Sequence, residues 1–424
     1  MHDGSINPAA WPDLASPARA ETAKTLLLWS QVVGKTRLAL APMINHWWQV
    51  PLYVSARGLT TSLIPLEGRA FEVELDLLSH RLELRVSDGQ RRSFALGPGT
   101  LADFYARYFH ALRAVDIDVS ISPLAVEIAE TIHLDTDTQP RAYDRAWVSR
   151  LHGALVEIDT VMKQFRGAFL GKVSPVHLFW GSFDLAVTRF SGNRAPLHPG
   201  GVPHCPDYVM QEAYSHEVSS AGFWPGSAAF PEPAFYSYAY PEPEGFAEAE
   251  AHPGAARYDP SMKEFVLPYE AVRTARIPGL ELLMFFQSTY LAAAELGHWD
   301  RAALERPAQP AHRLRSPMDY ECEHLESAAE RAHGVEPSGE GCRECLESGD
   351  EWVHLRLCLS CGHVGCCDDS KGRHATRHHG ATGHPVIRSF EPGEQWAYCY
   401  DDDAFAEVLA ARDHEAAPVH YSAP

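Results

Sequence analysis

The stretch between residues 342 and 384 constrains this chain more than any other part of it. Six cysteines fall between positions 342 and 367, and four histidines follow at positions 374, 378, 379 and 384. Two Cys-x-x-Cys pairs, Cys342/Cys345 and Cys358/Cys361, are separated by twelve residues. Such a turn directs two thiolates at one metal ion, and zinc takes four Cys or His ligands in a tetrahedron. The stretch therefore predicts a small module that is stabilised by zinc.

Two arrangements of the ligands fit this spacing. A simple ribbon pairs the two Cys-x-x-Cys turns on one zinc, which leaves Cys366 and the histidines without a metal. An interleaved arrangement also uses Cys366 with His374 and His378 with His384, and it forms two tetrahedral sites. The zinc in either arrangement is structural, because four protein ligands leave no open position for water.

Composition indicates where such a protein works and which partners it avoids. Eight of the nine cysteines lie between positions 322 and 399, and in a reducing compartment such clustering favours metal over disulfides. The N-terminus has no basic and apolar signal, and no apolar run reaches the length of a membrane span. A formal net charge of −20 argues against nucleic acids and anionic membranes as partners. We therefore expect a cytoplasmic protein.

The region before the cysteines reads as a duplicated α+β body. A helical pattern from residue 21 precedes several strand-like runs between 51 and 96, and a second helix follows Thr100. The same order returns with a helix at about 144–169, further strands, and a helix over 280–296. The stretch at 50–65 (VPLYVSARGLTTSLIP) is similar to that at 176–192 (VHLFWGSFDLAVTRFSG). We predict two copies of an antiparallel sheet with helices on one face, followed by a small zinc-stabilised α+β finger.

The predicted boundaries follow from composition. The stretch at 306–317 is polar and rich in proline, as linkers are. We predict a lead-in at 1–20, the duplicated domain at 21–305, the linker at 306–317, the zinc finger at 318–410 and a tail at 411–424.

Catalytic residues are hard to find in the body. It lacks a G-x-S-x-G elbow, a phosphate-binding P-loop, a G-x-G-x-x-G turn and an H-E-x-x-H helix. The weak candidates are His177, Asp184 and His216, with His216 as a base that Asp184 orients. We favour a binding function over catalysis. The alternative is an enzyme with a small-molecule pocket between the two halves, and the finger then serves as a targeting module.

The cysteine-rich module resembles the UBP-type zinc finger of deubiquitinases and of a histone deacetylase. The resemblance covers about 320–405 and rests on C-x-H, C-x-x-C, W-x5-C-x-x-C-x4-C, H-A-x-x-H-H, G-H-P and a late aromatic-Cys-Tyr. It is closer to bacterial versions, as in CGHVGCCD, TGHP and RSFEPGE. The resemblance implies one zinc on Cys342, Cys345, Cys366 and His374, and a second on Cys358, Cys361, His378 and His384.

A third zinc is implied in the same way, because relatives hold one with C-x-H and a late C-x-x-C. Here Cys322, His324 and Cys399 match that pattern, while Asp402 stands where the second late cysteine belongs. A carboxylate is a permitted zinc ligand, so these four residues can still form a site.

Some fingers of this type bind the free C-terminal Gly-Gly tail of ubiquitin in an aromatic slot with an arginine nearby. The resemblance implies that Trp396, Tyr398, Tyr400 and Arg356 contact a peptide or protein tail, and a binding module should expose Trp396 and Tyr398. This sequence departs from the pattern at Asp368, where an acid replaces the arginine, so Arg356, Arg373 or Arg388 would have to compensate. A purely structural or docking role is the alternative.

The body also resembles a bacterial family of unknown function. The similarity lies in stretches such as WWQVPLYVSARGLTT, HLFWGSFDLAVTRFSG and SHEVSSAGFWPG, and it covers about 10–305. That resemblance implies no activity.

Overall fold

The computed structural model describes residues 11–226, 231–306, 322, 324–325, 327–328, 334–391, 394, 396–402 and 404–407. The chain forms two compact units, 1–307 and 308–424, called the body and the finger below. The predicted tail, and all of the predicted linker except Arg306, lie outside the described residues. In the described part of the chain, no helix combines the length and the apolar character needed to cross a membrane.

In the first half of the body, one helix precedes a six-stranded antiparallel sheet along the chain and a second helix follows it. Helix α1 spans Arg19–Leu40 and α2 spans Leu101–Arg113, with the Thr100 side chain accepting a hydrogen bond from the Asp103 N–H at its start. The strands are β1 (Tyr53–Val54), β2 (Gly58–Thr60), β3 (Ile64–Leu66), β4 (Arg69–Asp76), β5 (Arg81–Val86) and β6 (Arg91–Ala95). They run in the order β1-β2-β4-β5-β6, and β3 pairs with β4.

The second half repeats this plan after a short pair, β7 (Gly99–Thr100) and β8 (Pro140–Arg141). Helix α3 (Arg145–Gly167) precedes β9 (His177–Phe179), β10 (Asp184–Arg194), α4 (Asp207–Ala213), β11 (His216–Trp224), β12 (Ala234–Tyr240), β13 (Arg257–Asp259) and β14 (Glu264–Pro268). Helices α5 (Tyr269–Arg273), α6 (Pro278–Leu296) and α7 (Arg301–Leu304) follow. The sheet order is β13-β14-β12-β11-β10-β9, so the predicted α+β class is confirmed. The sequence did not predict β13 or α4.

A pair of hydrogen bonds joins the two halves at equivalent positions. Leu52 and Leu178 are each the third residue of the repeated stretch that begins at Val50 and Val176. Their backbones form an antiparallel bridge with N···O distances of 2.9 and 2.7 Å. A residue that pairs with its own repeat lies on a local two-fold axis, which is the arrangement expected of a duplicated fold.

Each sheet has one apolar face that packs on helices. Phe71, Val73 and Leu75 alternate along β4 and are fully buried, as a strand with one covered face requires. Helix α1 is buried on all sides through most of its length, because both halves pack against it. Leu38, near the C-terminal end of α1, is an exception and is 42% exposed. The predicted lead-in is packed where it is described, since Trp11 and Leu14 are buried.

The finger contains a five-stranded antiparallel sheet, and its described residues form very little apolar core. Its strands are β15 (Leu355–Cys358), β16 (Val364–Cys366), β17 (Val386–Ser389), β18 (Trp396–Cys399) and β19 (Ala404–Glu407), in the order β16-β15-β17-β18-β19. Helix α8 spans Arg343–Ser348 and α9 spans His374–Thr382. The two small buried clusters of the finger include Cys322, Cys342, Cys345, Cys366 and Cys399. A core this small needs metal to hold it together.

Candidate functional site

The first candidate metal centre gathers three thiols around one imidazole. The Sγ atoms of Cys342, Cys345 and Cys366 lie 3.2, 3.3 and 3.4 Å from Nδ1 of His374. Zinc bonds of about 2.3 Å to sulfur and about 2.0 Å to nitrogen, at the tetrahedral angle, place S and N about 3.5 Å apart. The donor set and its spacing therefore fit a zinc ion.

The second centre has two thiols and two imidazoles. Cys358 Sγ lies 3.6 Å from Nδ1 of His384, and Cys361 Sγ lies 3.3 Å from Nε2 of His378. The two imidazole nitrogens are 3.3 Å apart, which is close to the separation expected for two nitrogens bound to one tetrahedral zinc. These two groups of four residues are the interleaved sets that the resemblance implied, and the simple ribbon is not formed.

The third group has a shorter distance between two of its ligand atoms, and its side chains are more exposed than those of the other two groups. The thiols and oxygen of Cys322, Cys399 and Asp402 come together with His324, all within 4.8 Å of one another. The Nδ1 atom of His324 lies only 2.7 Å from the Asp402 carboxylate, which is the length of a direct hydrogen bond. Both side chains are about two-fifths exposed. This group therefore fits zinc less well than the first two.

Backbone alternation decides which of two adjacent cysteines reaches the metal. Successive side chains point to opposite sides of an extended chain, so Cys366 faces His374 while Cys367 turns away and lies 3.4 Å from the Ser370 hydroxyl. Burial raises the pKa of the Cys345 thiol to about 12, so the thiolate is stable there only beside a cation. A bound metal supplies that cation.

A histidine without a metal partner supports the second centre from behind. The His363 ring stacks on the His378 ring at 4.2 Å, and its Nε2 lies 2.6 Å from the Glu344 carboxylate. The stacking restricts the orientation of the His378 ring, and the contact with Glu344 holds the His363 ring in place. The spacing alone left His363 unassigned.

The predicted peptide-contact residues lie on one side of the finger. The Arg356 guanidinium lies over the Trp396 ring at 4.6 Å, on the sheet face that also carries Tyr398. The Tyr398 and Tyr400 rings meet edge to face at 5.1 Å, and Tyr400 stacks on His379 of α9. Tyr398 is only 5% exposed, so the expectation that it stands open to solvent is wrong. It supports this face from below, because its ring packs under Tyr400.

Asp368 lies at the same face. The Thr376 hydroxyl donates to the Asp368 carboxylate at 2.6 Å and lies 3.2 Å from the Tyr400 hydroxyl. Of the arginines that could offset this acid, Arg356 is near Tyr400, whereas Arg388 alternates to the opposite sheet face. The face therefore combines the Arg356 guanidinium with the Asp368 carboxylate, and the Glu394 carboxylate accepts a hydrogen bond from Trp396 Nε1 at 2.9 Å.

The body has a cavity of about 680 Å³ on the face of its second sheet opposite the face that packs on α3 and α6. Polar and aromatic residues line it, among them His46, Trp47, Trp48, Trp180, Asp184 and Trp224. Of the three catalytic candidates, only Asp184 reaches it. The Asp184 carboxylate accepts hydrogen bonds from the hydroxyls of Ser182 and Tyr236, and burial raises its pKa.

The proposed pairing of His216 with Asp184 is not formed. Asp184 precedes Leu185, which pairs with Phe223 near the end of β11, whereas His216 begins that strand. At ~3.3 Å per residue the two lie about 25 Å apart. His177 does not line the cavity either; it is fully buried, with neither ring nitrogen hydrogen-bonded to a described residue. Burial lowers its pKa to about 3. Strand register therefore separates the three candidates.

The cavity also contains groups that sequence patterns missed. Glu127 and Glu264 line it, and burial raises their pKa values to about 7 and about 8. Glu127 lies in the loop before β8 and Glu264 begins β14, so neither belongs to a recognisable sequence motif. The Tyr236 and Tyr238 side chains, at alternate positions of β12, gave the one signal available, a polar-aromatic face on a strand.

Comparisons with known proteins divide the chain in the same two parts. Residues 11–306 match the family described as a family of unknown function (DUF5996), and residues 342–410 match the Zn-finger in ubiquitin-hydrolases and other proteins. These matches confirm both resemblances. The solution NMR structure of protein RPA1320 from Rhodopseudomonas palustris is 49% identical; the match covers 20% of this chain and 81% of that one, with a TM-score of 0.18. A search of the curated proteins found no match.

Proposed function

The chain belongs to the DUF5996 family of unknown function and carries a zinc finger, and from this premise we propose that the finger is a zinc-stabilised module that recognises the C-terminal tail of a peptide or protein. The observation that carries the proposal is the Arg356 guanidinium stacked on Trp396 beside Tyr400. A guanidinium next to aromatic walls suits a flexible chain that ends in a carboxylate.

Zinc has a structural role in this proposal. The first two groups of four would each hold one ion, and the group around Asp402 would hold a third more weakly. Bound zinc ties β15, β16 and the N-terminus of α9 together, because its ligands come from all three. Those elements carry Arg356 and Thr376, so the ions fix the face that we propose for the peptide.

Arg356 keeps donors free for a ligand. A guanidinium has five N–H donors, and in the described part of the finger Arg356 uses Nη1 for the Leu355 carbonyl at 2.9 Å. Stacking on Trp396 holds the planar group without using its edge. A terminal carboxylate can then bind along that edge.

Asp368 sets the proposed specificity. Its carboxylate weakens binding of a bare anionic tail, because the two negative charges meet across the Tyr400 ring. A tail that carries a basic side chain near its end satisfies both Arg356 and Asp368. We therefore propose that tails with a Lys or Arg shortly before the terminal carboxylate bind best.

The test is a fluorescence-polarisation titration of the full, zinc-loaded chain. The probes are a labelled peptide with a Lys before a free Gly-Gly end and the same peptide with an amidated end. Saturable binding that is lost on amidation is expected, and Arg356→Ala should weaken it about tenfold or more. The matched control is Arg343→Ala, since Arg343 is exposed and, among the described residues, forms its ion pair with Glu347. Equal binding of both peptides would refute the proposal that the finger recognises a terminal carboxylate.

Asp368→Asn separates the two halves of this specificity. Removing the acid should tighten binding of a peptide without the Lys by about threefold and weaken the preference for Lys. Equal affinity of the variant and the original chain for both peptides would contradict the role given to Asp368.

The alternative function, an enzyme with a pocket between the halves of the body, retains one of its three residues. Asp184 lines the cavity, but His177 and His216 do not. Burial raises the pKa of the Cys205 thiol in the cavity wall to about 11, which disfavours the thiolate that a nucleophile needs. The cavity is therefore proposed below as a binding site.

A further inference from the structure

The cavity of the body is built on a sheet face with unusual chemistry. Side chains at alternate positions of β10, β11 and β12 point into it, and the strand pairing places them in one continuous surface. The opposite wall comes from α1, the segment around Trp47, and α4 with the loop before it. A cavity of 680 Å³ is in the size range of sites for small organic ligands.

Stacked aromatic rings form one wall. The Trp224 and Tyr236 rings stack at 4.4 Å, and Tyr236 and Tyr238 follow at 6.0 Å. Gly222 allows this arrangement, because a Cβ atom there would lie 2.2 Å from the Tyr236 ring. The Tyr236 side chain crosses over Gly222 and donates to the Asp184 carboxylate.

Carboxyl groups from three separate segments share the cavity. Asp184 begins β10, Glu264 begins β14 and Glu127 lies in the loop before β8. No hydrogen bond joins the Glu127 or Glu264 carboxyl group to another described residue, and Glu264 Oε2 is buried. Burial is the main cause of their raised pKa values, and the Asp184 charge adds to it. Each therefore lacks a positive partner.

The cations in and beside the cavity wall are used elsewhere. The Lys35 ammonium donates to the Leu124 carbonyl at 2.6 Å. The Lys172 ammonium does not itself line the cavity; it contacts His46 Nε2 and lies 5.0 Å from the Phe190 ring, and both of those residues do line it. Over the described residues, no Lys or Arg forms an ion pair with Asp184, Glu127 or Glu264. The protein itself thus leaves these acids without a counter-charge.

A metal ion does not fit this spacing. Groups of three or more ligand atoms within 4.8 Å occur only in the finger, as far as the described residues extend. The acids of the cavity are too far apart to coordinate one ion, and aromatic rings replace the oxygen ligands that a hard cation needs. A larger cation with an apolar surface satisfies both walls at once.

We propose that the cavity of the body binds a small organic cation, with an ammonium group held between the carboxyl groups and the aromatic rings of Trp224 and Tyr236. The carbon framework of the ligand packs on the rings, and the acids provide the charge. This site is separate from the peptide face of the finger, and it stands or fails independently of the function proposed there.

Isothermal titration calorimetry of the full chain at pH 8 tests the charge preference. The cationic probes are 2-phenylethylamine and tetraethylammonium; 2-phenylethanol and 3-phenylpropionate are neutral and anionic probes of similar size. We expect at least one of the two cations to bind at least about tenfold more tightly than the alcohol or the acid. The proposal is overturned if neither cation binds, or if the alcohol or the acid binds as tightly.

Variants place the binding in the cavity. Glu264→Gln and Glu127→Gln should each weaken binding of the cation at least about fivefold, since each removes one charge without changing size. Glu67→Gln is the control, because Glu67 is exposed on the turn between β3 and β4 and makes the same change in net charge. Unchanged affinity in both cavity variants would overturn the assignment, and thermal unfolding of each variant confirms that it is folded.

Discussion

Gly34 lies where α1 meets the second half of the body, and the substitution Gly34→Ala tests how close that approach is. A Cβ atom at Gly34 would lie 2.1 Å from Cδ1 of Trp180. The Trp180 ring cannot swing away freely, because it is 7% exposed and its Nε1 donates to the Val50 carbonyl at 2.9 Å. The alanine methyl group therefore forces either the helix or the ring to move.

The expected change in the free energy of unfolding has two opposing parts. Alanine inside a helix is favoured over glycine by about 1 kcal/mol. Overpacking costs about 1–3 kcal/mol, and loss of the Trp180 hydrogen bond adds about 1 kcal/mol. The clash exceeds the helix preference, so we expect Gly34→Ala to destabilise the body by about 1–3 kcal/mol.

Urea unfolding followed by tryptophan fluorescence measures this change, since most tryptophans of the chain lie in the body. The control is Gly279→Ala in α6, where the nearest atom to a Cβ is 3.5 Å away, an ordinary contact. That variant should be unchanged or up to about 1 kcal/mol more stable. If Gly34→Ala is as stable as Gly279→Ala, α1 does not approach Trp180 as closely as described, and the reasoning fails.

Three further outcomes are expected. Native mass spectrometry of the zinc-loaded chain should show two tightly held ions, and Asp402→Ala should remove only a third, weaker one. Burial raises the pKa of Glu264 from 4.5 to about 8, so the native state keeps a proton that the unfolded chain loses. The stability of the body should therefore fall as pH rises from about 5 to 8. Glu264→Gln should flatten that fall, measured by urea titrations at several pH values. His177→Leu removes two buried ring nitrogens that form no hydrogen bond with a described residue, so it should stabilise the body by about 1–3 kcal/mol. It should also abolish the His177 contribution to the loss of stability below pH 6.5. Thermal unfolding across that pH range measures both changes.

The metal groups could be read from the sequence because their spacing is local. Cys342 and Cys345 lie on one turn at the start of α8, and His374 and His378 are one helical turn apart on α9. The family resemblance then implied which pair joins which. The resemblance also implied the residues of the peptide face, and in the structure strand alternation places Trp396 and Tyr398 on the same side. Alternation could not predict that Tyr398 is covered, because burial depends on what packs above the strand.

The cavity could not be read in this way, because its groups meet only through long-range pairing. Asp184 and Tyr236 are joined by the register of three strands, and Gly222 between them had no signal of its own. The error over His216 has the same origin. Asp184 and His216 both lie at strand ends, which suggested that they could be partners, but the antiparallel direction of β11 places His216 at the opposite end of the sheet.

The two halves of the body differ in how they treat the acidic residues on the sheet face opposite the apolar one. In the first half that face carries Glu72 and Glu74, and Arg85 pairs with both at 3.1 and 2.9 Å. The position equivalent to Asp184 is Gly58, where a Cβ atom would lie 1.9 Å from the Leu75 carbonyl, so no side chain fits. The second half has room there, and no described arginine forms an ion pair with Asp184 or Glu264. The same fold thus neutralises its carboxylates with a protein cation in one half, and in the other it leaves the place that we propose for a cationic ligand.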